Sequence, residues 1–140
     1  MTRSRRFLFT LMSVLLIVGA LAAPMTAFAG GPDRVKSKTV QVAWDADKPV
    51  RVNVGQVRVV FRPGTLKEID GEYTVTLTVA TQGKQFDADL QLEPAHDGDF
   101  VQPVIAKFGK ATEVENDGQI LQTNRGFLYL DHFSRYSGWF

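Results

Sequence analysis

Apolar residues recur at every second position through most of this chain, and this period limits the possible folds more than any other feature. The clearest segment is Glu72 to Thr81, in which one set of alternate positions is apolar and the other is threonine. Such alternation is typical of a β-strand with one buried and one wet face. No long window shows the 3.6-residue period of a helix. The sequence therefore predicts an all-β fold: a single antiparallel β-sandwich of seven to nine short strands over residues 39–140.

The apolar positions change parity at Gly55. They are even-numbered before it, as at Val52 and Val54, and odd-numbered after it, as at Val57 and Val59. In one continuous strand the second half would turn its apolar side chains into water. We therefore expect a β-bulge or a sharp bend at Gly55.

Two neighbouring alternating segments predict a hairpin. Glu72–Thr81 is followed by Lys84–Glu93, and Gln82-Gly83 supplies the turn between them. The sequence from Gly71-Glu72-Tyr73 to Val79 also resembles the late strand of immunoglobulin-like sandwiches, where a tyrosine in a G-x-Y sequence bonds back across a corner. The resemblance implies an immunoglobulin-like or similar architecture and no particular function.

The first 29 residues have the order of a secretory signal peptide. Arg3, Arg5 and Arg6 precede the apolar run Phe7–Ala23, and Ala27-Phe28-Ala29 forms an A-x-A cleavage site. We expect cleavage after Ala29 and a periplasmic or secreted protein without a membrane span. An uncleaved anchor is the alternative.

The arginine pair and the Phe-Leu pair that follows it are also similar to a twin-arginine export signal. That pattern has one more residue between the two pairs, so export of the unfolded chain is favoured. Residues 30–38 mix glycine, proline and charge, and the sequence predicts a flexible leader there.

Composition excludes several functional classes. The chain has no cysteine, so disulfides, thiol catalysis, thiolate metal sites and a lipoprotein anchor are excluded. Three of its sixteen basic residues lie in the signal segment, which leaves thirteen basic against fifteen acidic residues. That balance is not typical of a nucleic-acid-binding protein. The first half of residues 30–140 is the more basic and the second half the more acidic.

An acidic segment suggests a cation site as one alternative function. No lysine or arginine lies between Gln85 and Ala106, and oxygen ligands that converge in a loop are what calcium requires. The other interpretation is that solvated acids protect a strand from aggregation. The candidate ligands for calcium or a small molecule are Asp87, Asp89, Glu93, Asp97 and Asp99.

Two groups of residues are candidates for contact with a partner. Arg51, Arg58 and Arg62 fall opposite the apolar positions of their strands and could form a basic stripe, which is suited to anionic partners. The other interpretation is a solvated outer face. The C-terminal segment is rich in aromatic residues, which form either a docking surface or a cover for the open end of the core. Its candidate residues are Tyr129, Phe133, Tyr136, Trp139 and Phe140.

Catalytic patterns are absent from the sequence. The two histidines, His96 and His132, lie far apart, and no nucleophile elbow surrounds Ser134 or Ser137. No phosphate loop or dinucleotide motif is present, so no cofactor is expected. The sequence favours a non-catalytic cell-envelope domain that binds another protein through a sheet edge or the aromatic tail. A calcium or small-ligand domain and an enzyme of unknown type are the alternatives.

Overall fold

The computed structural model describes residues 31–95 and 98–140, and these fold into ten strands without a helix. The expected signal peptide and its cleavage site lie outside the described residues, as do His96 and Asp97. The strands are β1 (Arg34–Val42), β2 (Val50–Val54), β3 (Val57–Phe61), β4 (Tyr73–Gln82), β5 (Gln85–Glu93), β6 (Val104–Phe108), β7 (Glu113–Asn116), β8 (Gln119–Gln122), β9 (Phe127–Leu130) and β10 (Arg135–Trp139).

The strands form two antiparallel sheets in a sandwich-like arrangement, which confirms the all-β prediction. One sheet has the order β1-β4-β5-β10-β7-β8 and the other the order β2-β3-β6-β9. Alternate residues of both sheets meet in one apolar core. Its largest fully buried side chains are Tyr73, Tyr136, Phe61, Phe86 and Phe108. Burial of each such side chain contributes about 1.5–3 kcal/mol to folding.

Gly55 is a turn and not a bulge. Val54 pairs with Val57, so Gly55-Gln56 is the two-residue loop of the β2–β3 hairpin. Gly55 has φ +56°, a conformation that glycine adopts without a Cβ clash. The parity change in the sequence is therefore the reversal of the chain, and both strands bury their valines on the same side.

β1 begins at Arg34, within the segment that the sequence predicts to be a leader. The outer face of its pair with β4 is polar: the hydroxyls of Ser37 and Thr78 lie 2.9 Å apart, as do those of Thr39 and Thr76. A ladder of this kind stabilises a pair of strands without apolar alternation. Apolar periodicity therefore does not predict the start of β1.

The tenth strand is one more than the seven to nine that the sequence predicts. β10 lies between β5 and β7, inside the six-stranded sheet. Ser137-Gly138 interrupts its apolar pattern, which is why the sequence does not reveal it. Gly138 is closely packed, because a Cβ there would lie 3.0 Å from the carbonyl oxygen of Glu113 and 3.2 Å from the Phe86 ring.

Candidate functional site

The outward side chains of the four-stranded sheet form a basic face with aromatic residues at one margin. Strand register places Arg51, Val60, Ile105 and Tyr129 in one row across β2, β3, β6 and β9. The next row contains Asn53, Arg58, Lys107 and Phe127. We call these eight residues the basic face. Three of them are cationic and none is acidic, so the face attracts anionic groups.

Short contacts order the basic face. The Nε atom of Arg58 donates a hydrogen bond of 3.1 Å to Oδ1 of Asn53. The Nζ atom of Lys107 lies 5.2 Å from the centre of the Phe127 ring, a cation–π distance. Tyr129 is 70% exposed and Phe127 is 42% exposed, which leaves both rings available for contact.

β9 is a sheet edge without charge, and among the described residues it is open beyond Phe127, whose backbone N–H and C=O pair with Asn124. Among the four edge strands, β1 contains several cationic residues, β2 contains Arg51, and β8 and β9 contain none. Edges normally carry charges that prevent unwanted strand pairing. β9 is the more apolar of the two uncharged edges, with the sequence Phe-Leu-Tyr-Leu.

Two large grooves lie on the surface of the described residues. The first, of about 690 Å³, lies away from β9, beside Leu92, Phe100 and His132. The second, of about 540 Å³, runs along the β9 edge. Leu128 and Tyr129 of β9 line this second groove together with Gln122 of β8. The second groove therefore joins the margin of the basic face to the β9 edge.

The predicted arginine stripe is only partly one surface. Arg51 and Arg58 lie on the basic face, in adjacent rows. Arg62 follows β3, is half-buried, and donates a 3.3 Å hydrogen bond from Nη2 to the carbonyl of Pro103. Its role is to hold a loop at the end of the sheet.

The aromatic tail does not form one surface. Tyr136 is buried in the core, where burial raises its pKa to about 12. Phe133 and Phe140 pack against the core, and the Phe140 ring stacks on Phe86 with centroids 4.5 Å apart. Trp139 is 64% exposed but belongs to the six-stranded sheet. Of the predicted aromatic contacts, only Tyr129 lies on the basic face.

The acidic candidates separate into two places. Asp87, Asp89 and Glu93 alternate with the inward residues of β5 and therefore lie on the outer face of the six-stranded sheet. Asp99 is buried near the start of β4, where its Oδ1 accepts a 3.3 Å hydrogen bond from the hydroxyl of Tyr73. Glu93 and Asp99 line one groove, whereas Asp87 lies six residues, roughly 20 Å, from Glu93 along β5. Within residues 31–95 and 98–140, no group of three or more His, Asp or Glu side chains is placed to hold a metal ion.

Asp87 is a buried carboxylate that lies beside the guanidinium of Arg135. It is 1% exposed, and neither of its oxygens has a hydrogen-bond partner among the described residues. Burial raises the pKa of Asp87, the Arg135 guanidinium opposes that rise, and the charge of Asp89 adds to it. The charged form is thus unfavourable at this position.

His132 is exposed and contacts two carboxylates. Its Nδ1 atom lies 2.8 Å from Oδ1 of Asp131, and its Nε2 atom lies 3.8 Å from Oδ2 of Asp117. The hydrogen bond with His132 holds the pKa of Asp131 below its usual value. Ser134, the serine two residues after His132, accepts a 2.6 Å hydrogen bond from Nδ2 of Asn116. His96, the other candidate, lies outside the described residues.

Lys107 is a site residue that sequence reasoning does not single out. Lys107 sits between two buried residues of β6, so its outward position follows from alternation alone. Its neighbourhood with Arg58 and Phe127 depends on β6 lying between β3 and β9, which spacing in the sequence does not show.

Comparison with known proteins assigns no family to this chain. No protein-family model matches it. No curated protein and no solved structure gives a significant match. Within the part of the chain that the structure describes, there is no helix long and apolar enough to cross a membrane.

Proposed function

We propose that this protein is an exported, non-catalytic interaction domain of the cell envelope that binds an extended segment of a partner protein along β9. The observation that carries the proposal is the uncharged β9 edge, whose backbone is open at Tyr129, with a groove beside it. The order of charges, apolar run and cleavage site in residues 1–29 supports export.

Strand addition is the mode of binding that fits this edge. A sheet edge presents unpaired backbone N–H and C=O groups, which an incoming strand satisfies by extending the ladder. Alternate side chains of that strand would face the basic face and the groove. Tyr129 and Phe127 supply aromatic contact area at the boundary between the two.

The charge of the face selects an acidic segment. Arg51, Arg58 and Lys107 have no carboxylate among the eight residues of the face. Complementary charge accelerates association and rejects cationic partners more than it adds affinity. The expected occupant is therefore an extended protein segment with carboxylates at alternate positions.

We also propose that the corner at Tyr73 is the tyrosine corner of immunoglobulin-like sandwiches. The Tyr73 hydroxyl donates a 2.8 Å hydrogen bond to the carbonyl of Lys67, six residues upstream, which supports this finer fold assignment.

Site-specific photo-crosslinking in intact envelopes tests the function. A photoreactive residue at position 129 should capture one extended acidic segment, identified by mass spectrometry. The matched position is 120, because Ile120 is 57% exposed on the other uncharged edge. Capture of the same segment from position 120 would contradict a specific β9 site.

A peptide with the captured sequence provides the second stage. Its binding should slow hydrogen exchange of the Tyr129 amide, which faces the open edge, and leave β8 unchanged. Arg58→Glu should weaken binding by about tenfold because it reverses a charge on the face. Arg34→Glu, a matched reversal on β1, should have less than about twofold effect. Equal losses in the two variants would show that only net charge matters.

A further inference from the structure

Three cationic residues of β1 occupy positions that normally hold core side chains. Arg34, Lys36 and Lys38 have the same parity as the inward residues of this strand, and Lys36 pairs directly with the buried Val79. All three are exposed. Such a break in the apolar pattern indicates either edge protection or a site.

A cleft beside two of these residues favours a site. It has a volume of about 230 Å³ and opens between β1, the Gly55 turn and the end of the chain. Arg34 and Lys36 line it together with Val54, Val79 and Phe140, whereas Lys38 does not. The cleft therefore has two cationic groups and an apolar wall.

The cationic groups of the cleft are not neutralised by the described residues. No ion pair joins Arg34 or Lys36 to a carboxylate in residues 31–95 and 98–140. The nearby Asp33 uses Oδ2 to accept a 3.0 Å hydrogen bond from the amide of Gly83. Edge protection explains a positive charge on β1, but it does not require an apolar cavity beside the charge.

We propose that this cleft binds a small amphiphilic anion, with its carboxylate or phosphate at Arg34 and Lys36 and its apolar body against Val54, Val79 and Phe140. The apolar cavity that holds benzene in a well-studied lysozyme variant has about 150 Å³, so a short alkyl chain or one substituted ring fits here. The site is independent of the proposed function, since β1 and β9 are edges of different sheets.

The test is a titration of the purified protein with octanoate, followed by the backbone NMR signals of Val54, Val79 and Thr81. Inorganic phosphate supplies an anion without an apolar body, and octyltrimethylammonium supplies a similar body with the opposite charge. We expect saturable shifts with octanoate, and affinities at least about tenfold lower for the other two probes. Unchanged cleft signals with octanoate, or equal affinity for either comparison probe, would overturn the proposal.

Variants on the same strand separate the site from net charge. Replacement of both cleft residues, Arg34→Gln with Lys36→Gln, should weaken octanoate binding by about tenfold or more. Lys38→Gln alone and Arg51→Gln alone should each change it by less than about twofold. All these side chains are exposed, so the melting temperatures should agree and folding is not in question. An unchanged affinity in the double variant would also overturn the proposal.

Discussion

The Nε atom of Arg135 lies 3.6 Å from Oδ1 of Asp87 across the β5–β10 pair, and Asp87 is only 1% exposed whereas Arg135 is 44% exposed. The carboxylate therefore loses its hydration without gaining a hydrogen bond among the described residues. Ion pairs of this kind often cost more in desolvation than they return in attraction. We therefore expect the charged Asp87 side chain to lower the free energy of unfolding.

We expect Asp87→Asn to raise the free energy of unfolding at pH 7 by about 1 kcal/mol. Burial raises the folded-state pKa of Asp87 above its unfolded value, so the stability from this group is present at low pH and lost as the pH rises through the folded pKa. The advantage of the variant should therefore shrink towards pH 3. Urea unfolding at the two pH values measures both effects.

Glu93→Gln is the matched control, because Glu93 lies on the same face of β5 and is exposed. It should change stability by less than about 0.5 kcal/mol at either pH. A loss of stability in Asp87→Asn at pH 7 would mean that the contact with Arg135 outweighs desolvation.

The sequence predicts the fold best where one face of a strand is apolar and the other polar. The observed bounds of β2 and β3 match the alternating segments on each side of Gly55. Alternation does not predict β10, because its inward positions are Tyr136 and Gly138. A glycine that packs beneath a ring adds no apolar residue to the pattern.

The candidate site was harder to predict than the strands. Alternation predicts that Arg58 and Tyr129 point outward, but whether they share a face depends on long-range strand order. The burial of Tyr136 also follows from that order, since β10 occupies the middle of a sheet and not its edge. Local alternation predicts which face of a strand a residue lies on, whereas the order of the strands decides which residues form a site together.

Gly138→Ala should destabilise the protein by about 1–3 kcal/mol. A Cβ at this position would meet the Glu113 carbonyl at 3.0 Å and the Phe86 ring at 3.2 Å, and both groups are held by packed strands. Ser137→Ala at the preceding residue should cost less than about 1 kcal/mol. Thermal unfolding compares them, and equal melting temperatures would show that β10 has room to shift.

Tyr73→Phe should lower the free energy of unfolding by about 1–2 kcal/mol, because the Lys67 carbonyl and the buried Asp99 each lose the hydrogen bond from the Tyr73 hydroxyl. Tyr129→Phe, which alters an exposed hydroxyl, should change it by less than about 0.5 kcal/mol. Urea unfolding at pH 7 measures both. Similar effects in the two variants would exclude a special role for the corner.

The same substitution has a pH signature. Burial, together with Asp99, raises the pKa of Tyr73 from 10.0 to about 12. The stability from this group is fully present below pH 10 and is lost as the pH rises through the folded pKa. Between pH 10 and 12 the wild type should therefore lose stability more steeply than Tyr73→Phe does. Parallel curves would contradict the raised pKa.

Gly126→Ala should displace β9 and destabilise the protein by about 2 kcal/mol or more. Gly126 has φ +88°, and a Cβ there would overlap the carbonyl oxygen of Gly109, a backbone atom that cannot move aside alone. Gly118→Ala is the matched control: its φ is +78°, but no atom lies within 4 Å of the added Cβ. It should cost about 1 kcal/mol from the backbone conformation alone.

The difference in stability between these two glycine variants measures the cost of the Cβ contact apart from the cost of the backbone conformation. The same two variants also test the proposed site. If β9 carries the binding edge, Gly126→Ala should reduce crosslinking from position 129 even at temperatures where the core remains folded. Gly118→Ala should leave that crosslinking unchanged. Loss of crosslinking in both variants, or in neither, would show that partner binding does not depend on the position of β9.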